Sequence, residues 1–193
     1  AMSRALRPDF NYVTSPRWLV DEAEQALMRF TEEQLDIVTS IEENPRNIIK
    51  GPAGTGKTLM AIEAFRAMAA RGESVLFVCY NRNLARHLAQ ELKLECDEQD
   101  NTCRVGTFHS VLTDFIPVPE NPDSHFWELD LPNQFCELVV EQGIRPPYDH
   151  IIVDESQDLM SDAYLECMDF LLKDGIRNGS WCLFGDFDNQ DIY

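Results

Sequence analysis

The chain is poor in positive charge: Lys and Arg number 16 against 34 Asp and Glu, a formal net charge of −18 at pH 7. That balance disfavours partners held through a broad basic footprint. Any nucleic acid would be bound weakly, and more weakly as salt rises. Long apolar runs are also missing. None approaches the roughly 18 residues that span a bilayer, and an N-terminus that is polar and broken by Pro8 and Pro16 does not read as a secretory signal. The six cysteines, Cys79, Cys96, Cys103, Cys136, Cys167 and Cys182, include no C-x-x-C pair, which argues against a zinc site. Cys79 and Cys182 sit in apolar, strand-like runs and read as core residues. Cys96 and Cys103 flank an acidic loop, and the expected setting is a reducing cytoplasm with free thiols. There is no internal repeat and no low-complexity tract.

What is present suits one α/β domain: 193 residues with 44% apolar content, enough to bury a core. Residues 1–29 read as a lead-in with a helix over about Pro16 to Arg29, and a main domain spans 30–193. Thr31-Glu32-Glu33-Gln34 begins a helix with capping-box spacing, and Pro45 ends that region. Strands are expected at 47–50, 74–80, 104–107, 151–154 and 181–185. Helices are expected at about 59–69, 83–94, 108–115, 133–142 and 162–173. Alternation of this kind implies a parallel sheet covered on both faces. A stretch rich in proline and acid, at about 117–132, reads as a surface insertion or small subdomain.

The most informative segment is Gly51-Pro52-Ala53-Gly54-Thr55-Gly56-Lys57-Thr58, which matches G-x-x-x-x-G-K-[ST] at every fixed position. Gly51, Gly54 and Gly56 let backbone amides, including those of Ala53 and Thr55, turn toward phosphate oxygens. Lys57 carries positive charge to the β- and γ-phosphates, and the Thr58 hydroxyl suits Mg²⁺. A helix opening at about Gly56 would aim its positive end at the same anion. The expected ligands are therefore ATP and Mg²⁺ on a P-loop NTPase fold. A second pair of groups lies at Ile151-Ile152-Val153-Asp154-Glu155, an apolar strand ending in two acids. Strand C-termini face the ligand crevice of an open α/β sheet. Asp154 is thus placed to hold the metal and Glu155 to orient and deprotonate a water.

These residues bring a resemblance into view. Asp154-Glu155-Ser156-Gln157-Asp158 resembles the D-E-x-Q-D box of superfamily 1 helicases of the UvrD/Rep type. Phe30 to Gln34 resembles their Q motif, Val78 to Ala85 their motif Ia, Gly106 to Ser110 the T-F-H segment, and Gly185 to Tyr193 the motif III box. The matches run in family order from about Phe30 to Tyr193. The resemblance implies a RecA-like ATP-binding motor domain. Gln34 would read adenine, Asp186 would support the metal and water network, and Gln190 would sense the γ-phosphate. Tyr80, Arg82, Thr107 and His109 would lie along a single-stranded nucleic acid.

Structural alternatives stand beside each role: a helix cap for Gln34, strand-end packing for Tyr80, a satisfied core imidazole for His109, a turn cap for Asp186. Three residues separate Asp186 from Gln190, one more than the family spacing. The family's second RecA-like domain, which supplies arginines to the transferred phosphoryl group, has no counterpart before Tyr193. The expectation is a first motor domain that binds nucleotide and alone hydrolyses it slowly. A P-loop ATPase or switch with no nucleic-acid role is the other reading the residues allow.

Overall fold

The computed structural model describes residues 32–41, 43–92, 103–144, 147–159 and 161–187. The helix expected at Pro16 to Arg29, together with Thr31, Cys96 and Gln190, lies outside the described residues. Helix α1 covers 32–41. Five strands follow: β1 (Arg46–Lys50), β2 (Val75–Cys79), β3 (Cys103–Gly106), β4 (His150–Asp154) and β5 (Ser180–Gly185). Between them run α2 (Lys57–Ala70), α3 (Arg82–Leu92), α4 (Phe108–Leu112), α5 (Leu131–Gln142), α6 (Asp162–Leu171) and the short α7 (Gly175–Asn178). The strands form one sheet in the order β1-β5-β4-β2-β3, and every neighbouring pair is parallel. This is the α/β P-loop NTPase fold expected from the alternation of apolar runs.

Side chains alternate across the sheet, and the central strands β2, β4 and β5 feed two cores. Leu76, Val78, Ile151, Val153 and Leu183 pack against α4, α5 and α6. Val75, Phe77, Cys79, Ile152, Cys182 and Phe184 face α1, α2 and α3. A strand covered on both sides needs an unbroken apolar run, and β2 is buried at all five positions. The turn after α2 needs a left-handed residue, and Gly72 supplies it with φ +76°.

Two local features go beyond the sequence reading. The stretch read as a surface insertion or small subdomain at about 117–132 turns helical at 124, and the helix runs unbroken to Gln142, with Phe126–Asp130 forming a π turn. Pro132 has no N–H to give the carbonyl of Glu128, and the wider π turn sits directly before it. Asp123 opens the segment by accepting from the Phe126 amide at 2.9 Å. The second feature is α7 and a one-turn 3₁₀ helix at Ser156–Asp158, neither expected from periodicity because both are too short to carry any. Among the described residues, no helix is long and apolar enough to cross a membrane.

Parallel register carries the strand ends to one edge of the sheet. Cys79 stands beside Asp154, and Lys50 beside Gly185. From β1 the chain crosses over β5 and β4 to reach β2, so the crevice opens where β1 hands over to α2.

Candidate nucleotide site and the adjoining cleft

The loop between β1 and α2 is shaped by its glycines. Gly54 and Gly56 have φ of +83° and +80°, a region that L side chains rarely occupy. Gly56 is the residue before the first turn of α2, so the amides of the loop and helix start converge on one point. Thr55 braces the turn by donating to the Pro52 carbonyl at 2.9 Å, and Ala53 is exposed on its outer face. A side chain at Gly51 would strike the Thr55 hydroxyl, 2.9 Å from an added Cβ. Gln34 reaches across from α1 and donates to the Thr55 carbonyl at 3.4 Å. The amide therefore lies against the loop.

Lys57 is only 6% exposed. Its ammonium donates to the carbonyls of Gly51 at 2.7 Å and Pro52 at 3.0 Å, which holds the charge across the mouth of the loop. An ammonium has three protons, so a phosphate oxygen can be met while the loop contacts persist. The next residue makes the decisive contact: Thr58 Oγ1 donates to Asp154 Oδ2 at 2.6 Å across 96 residues of sequence. Asp154 is fully buried, and its other oxygen accepts from the Glu155 amide at 3.1 Å. Burial pushes the Asp154 carboxyl above its usual range, against the opposing Thr58 hydrogen bond, and the neighbouring Glu155 charge pushes the same way. A buried carboxylate with a hydroxyl at contact distance is a fitting donor set for a divalent cation.

Glu155 adopts a left-handed backbone with φ 53° and ψ 44°, unusual for a residue other than glycine. Its carboxylate accepts from Gln157 Nε2 at 2.7 Å. The other end of Gln157 accepts from the Asp186 backbone amide at 3.2 Å. Gly185, the preceding residue, accepts from the Gly51 amide at 3.2 Å. The end of β5 is thereby joined both to the phosphate loop and to the acid pair. Sequence reading placed Gln157 within a matched box but gave it no task, because the contact that defines its task spans 29 residues.

The residues expected along a strand of nucleic acid gather on the other side of β4. Tyr80, at the end of β2, is 59% exposed, so its ring is not packing the core. Arg82 opens α3, whose first turn is capped by Asn81 Oδ1 accepting from the amides of Asn83 and Leu84. Thr107 is buried and its hydroxyl caps α4 by accepting from the Ser110 amide, so its direct task is structural. His109 meets the Tyr164 hydroxyl through Nε2 at 2.5 Å. That hydroxyl also donates to the Trp127 carbonyl at 3.2 Å. Burial lowers the His109 pKa, with a hydrogen bond to the Trp127 backbone opposing it and Arg82 reinforcing it.

Two cavities flank this cluster, one of about 370 Å³ and one of about 730 Å³, and both are lined by Arg82, His109 and Trp127. The smaller adds Arg86 and no acid. The larger adds Tyr80, Tyr164 and the acids Glu128 and Asp162. Trp127 and Tyr164 were missed from the sequence. Trp127 lies in the stretch read as a surface insertion or small subdomain, and Tyr164 on a helix whose apolar face gives no sign of its partner His109, 55 residues away. A π turn at Trp127 was the one available structural flag, and it is invisible in periodicity.

Comparison with known families identifies the chain. A family model described as AAA domain matches residues 29–185, so the chain belongs to this family of P-loop ATPases, which includes superfamily 1 helicase-like members. No curated protein matches it.

The raised Asp154 pKa has a definite sign for stability. A carboxyl whose folded pKa lies above its unfolded value costs stability once pH rises above the unfolded pKa, and the cost is relieved on protonation. Asp154→Asn keeps an oxygen for Thr58 and removes the buried charge. Without metal at neutral pH the variant is expected to melt a few degrees higher than the parent. Mg·ATP is expected to raise the Tm of the parent and not that of the variant, which differential scanning fluorimetry with and without Mg·ATP checks.

Proposed function

We propose that this chain is the ATP-binding motor domain of a superfamily 1 helicase, spanning 30–193 with an insertion at about 117–132 and a lead-in over 1–29. The Thr58–Asp154 hydrogen bond carries the reading, because it joins the glycine loop to the end of β4 at the point where Glu155 begins. ATP and Mg²⁺ are the proposed ligands. Gly51, Ala53, Gly54, Thr55 and Gly56 would wrap the phosphates, Lys57 would meet the β- and γ-oxygens, and Thr58 and Asp154 would hold the metal. Gln34 would contact the base from α1. Bound Mg²⁺ would supply charge neutralisation on the transferred phosphoryl group.

The chain's own residues divide the remaining work. Glu155 takes a proton from the attacking water, and Gln157 fixes which way its carboxylate points. Asp186 reports the position of the β5 end through its backbone contact to Gln157. Gln190 is proposed as the γ-phosphate sensor. A second RecA-like domain would supply the arginines that speed phosphoryl transfer, worth about 10³–10⁵ in rate. Opening and closing of the two domains would drive movement along a strand.

Tyr80, Arg82, Thr107 and His109, with Trp127 added, form the proposed single-strand track. The two arginines on the acid-free cavity suit phosphates, and the aromatic side chains of the larger cavity suit bases. A net charge of −18 favours the other reading, a P-loop ATPase or switch that does not touch nucleic acid. The two readings part on one titration.

Lys57→Ala is expected to lose at least about a hundredfold in affinity for a fluorescent ATP analogue, since charge-assisted contacts to phosphate are the strong ones. Unchanged affinity would remove the phosphate-loop assignment. Single-stranded oligonucleotide should bind at low salt and weaken steeply as salt is raised. Trp127→Ala should weaken that binding about tenfold, with nucleotide affinity unchanged. Fluorescence anisotropy of a labelled oligonucleotide measures both effects, and no binding at any salt would favour the switch reading.

A further inference from the structure

Cys136 on α5 and Cys167 on α6 lie with their sulfur atoms 3.6 Å apart across the interface of the two helices. Cys167 is fully buried, and its sulfur also stands 3.6 Å from the Pro132 carbonyl. Cys136 is 8% exposed and opens onto a groove of about 350 Å³ bordered by Glu137, Val140, Glu141, Glu166 and Phe170. One thiol therefore has access to solvent and the other stands directly behind it. Neither takes part in the nucleotide site or the aromatic cleft. The three carboxylates on the rim disfavour anionic thiol reagents such as glutathione and leave a small neutral oxidant unopposed.

We propose that Cys136 and Cys167 form a peroxide-responsive pair, Cys136 as the residue oxidised first and Cys167 as the residue that resolves it to a disulfide between α5 and α6. The Cys136 sulfur attacks one oxygen of hydrogen peroxide. An S–O bond forms, the O–O bond breaks, and the departing oxygen leaves as water with the thiol proton. The Cys167 sulfur then attacks the Cys136 sulfur. An S–S bond forms, the S–O bond breaks, and a second water carries away the Cys167 proton. Two thiols give up two electrons and one peroxide is reduced to two waters. The sulfurs must close from 3.6 Å to about 2.05 Å, a shift that side-chain rotation and slight helix movement can supply. The contact between the two sulfurs lowers the Cys136 pKa against burial and the charges of Glu166 and Glu137, while the same contact and burial push Cys167 up. Thiolate character thus falls on the accessible member.

The cross-link would tie together two helices that serve the aromatic cleft. Cys167 lies one turn beyond Tyr164, whose hydroxyl holds His109, and α5 continues directly from the π turn bearing Trp127. The test treats the 193-residue chain with hydrogen peroxide, blocks remaining thiols by alkylation and maps peptides by mass spectrometry. The expected product is a peptide pair joined through Cys136 and Cys167, released by dithiothreitol, with a Tm several degrees above the reduced chain. Cys167→Ser should leave a dimedone adduct at Cys136, and Cys136→Ser should leave Cys167 unmodified. Oxidised glutathione should give no mixed disulfide at Cys136. Full alkylation of both thiols after peroxide, or a bridge between other cysteines, overturns the proposal. The mapping on the unsubstituted chain decides this even if a serine variant fails to fold.

Discussion

The hydrogen bond from Thr58 to Asp154 is the contact around which the site is arranged. It exists because five parallel strands stop at one edge and because β4 lies in the middle of the sheet, between β5 and β2. An acid at the end of a central strand is dry, and a dry acid needs a partner. Thr58 supplies a hydroxyl from the first turn of α2, and Lys57 beside it supplies charge. The fold has placed an uncomfortable carboxylate where a cation would relieve it.

The glycine loop and the D-E pair were legible in the sequence because their chemistry is local. Gly54 and Gly56 adopt the positive φ that the motif demands, and Asp154 stands where an apolar run ending in acids should place it. Strand positions were legible because burial on both faces leaves continuous apolar runs such as Val75 to Cys79. What stayed hidden depends on residues distant in sequence. The tasks of Gln157, Trp127 and Tyr164 exist only once β5, α4, the π turn and α6 are packed together. Pro132 closes the proline-rich stretch, and a helix passes through it by widening a turn just ahead.

The contrast between net charge and local chemistry is instructive. The chain carries a large excess of acid, yet Arg82 and Arg86 line a cavity with no carboxylate of its own. A global charge describes how a molecule behaves at a distance of many ångströms, where salt screens it. A cleft acts at contact distance, where three or four side chains decide the outcome.

Gly185 has a mechanical consequence. Its carbonyl holds the amide of Gly51, and an added Cβ would come within 3 Å of Gln157, Phe187 and Ser156. The end of β5 is thus fastened to the first residue of the phosphate loop in crowded surroundings. A pull on the chain just past this point would reach the phosphate loop through this one carbonyl, like a tug on a latch, together with the Lys50–Gly185 pairing beside it.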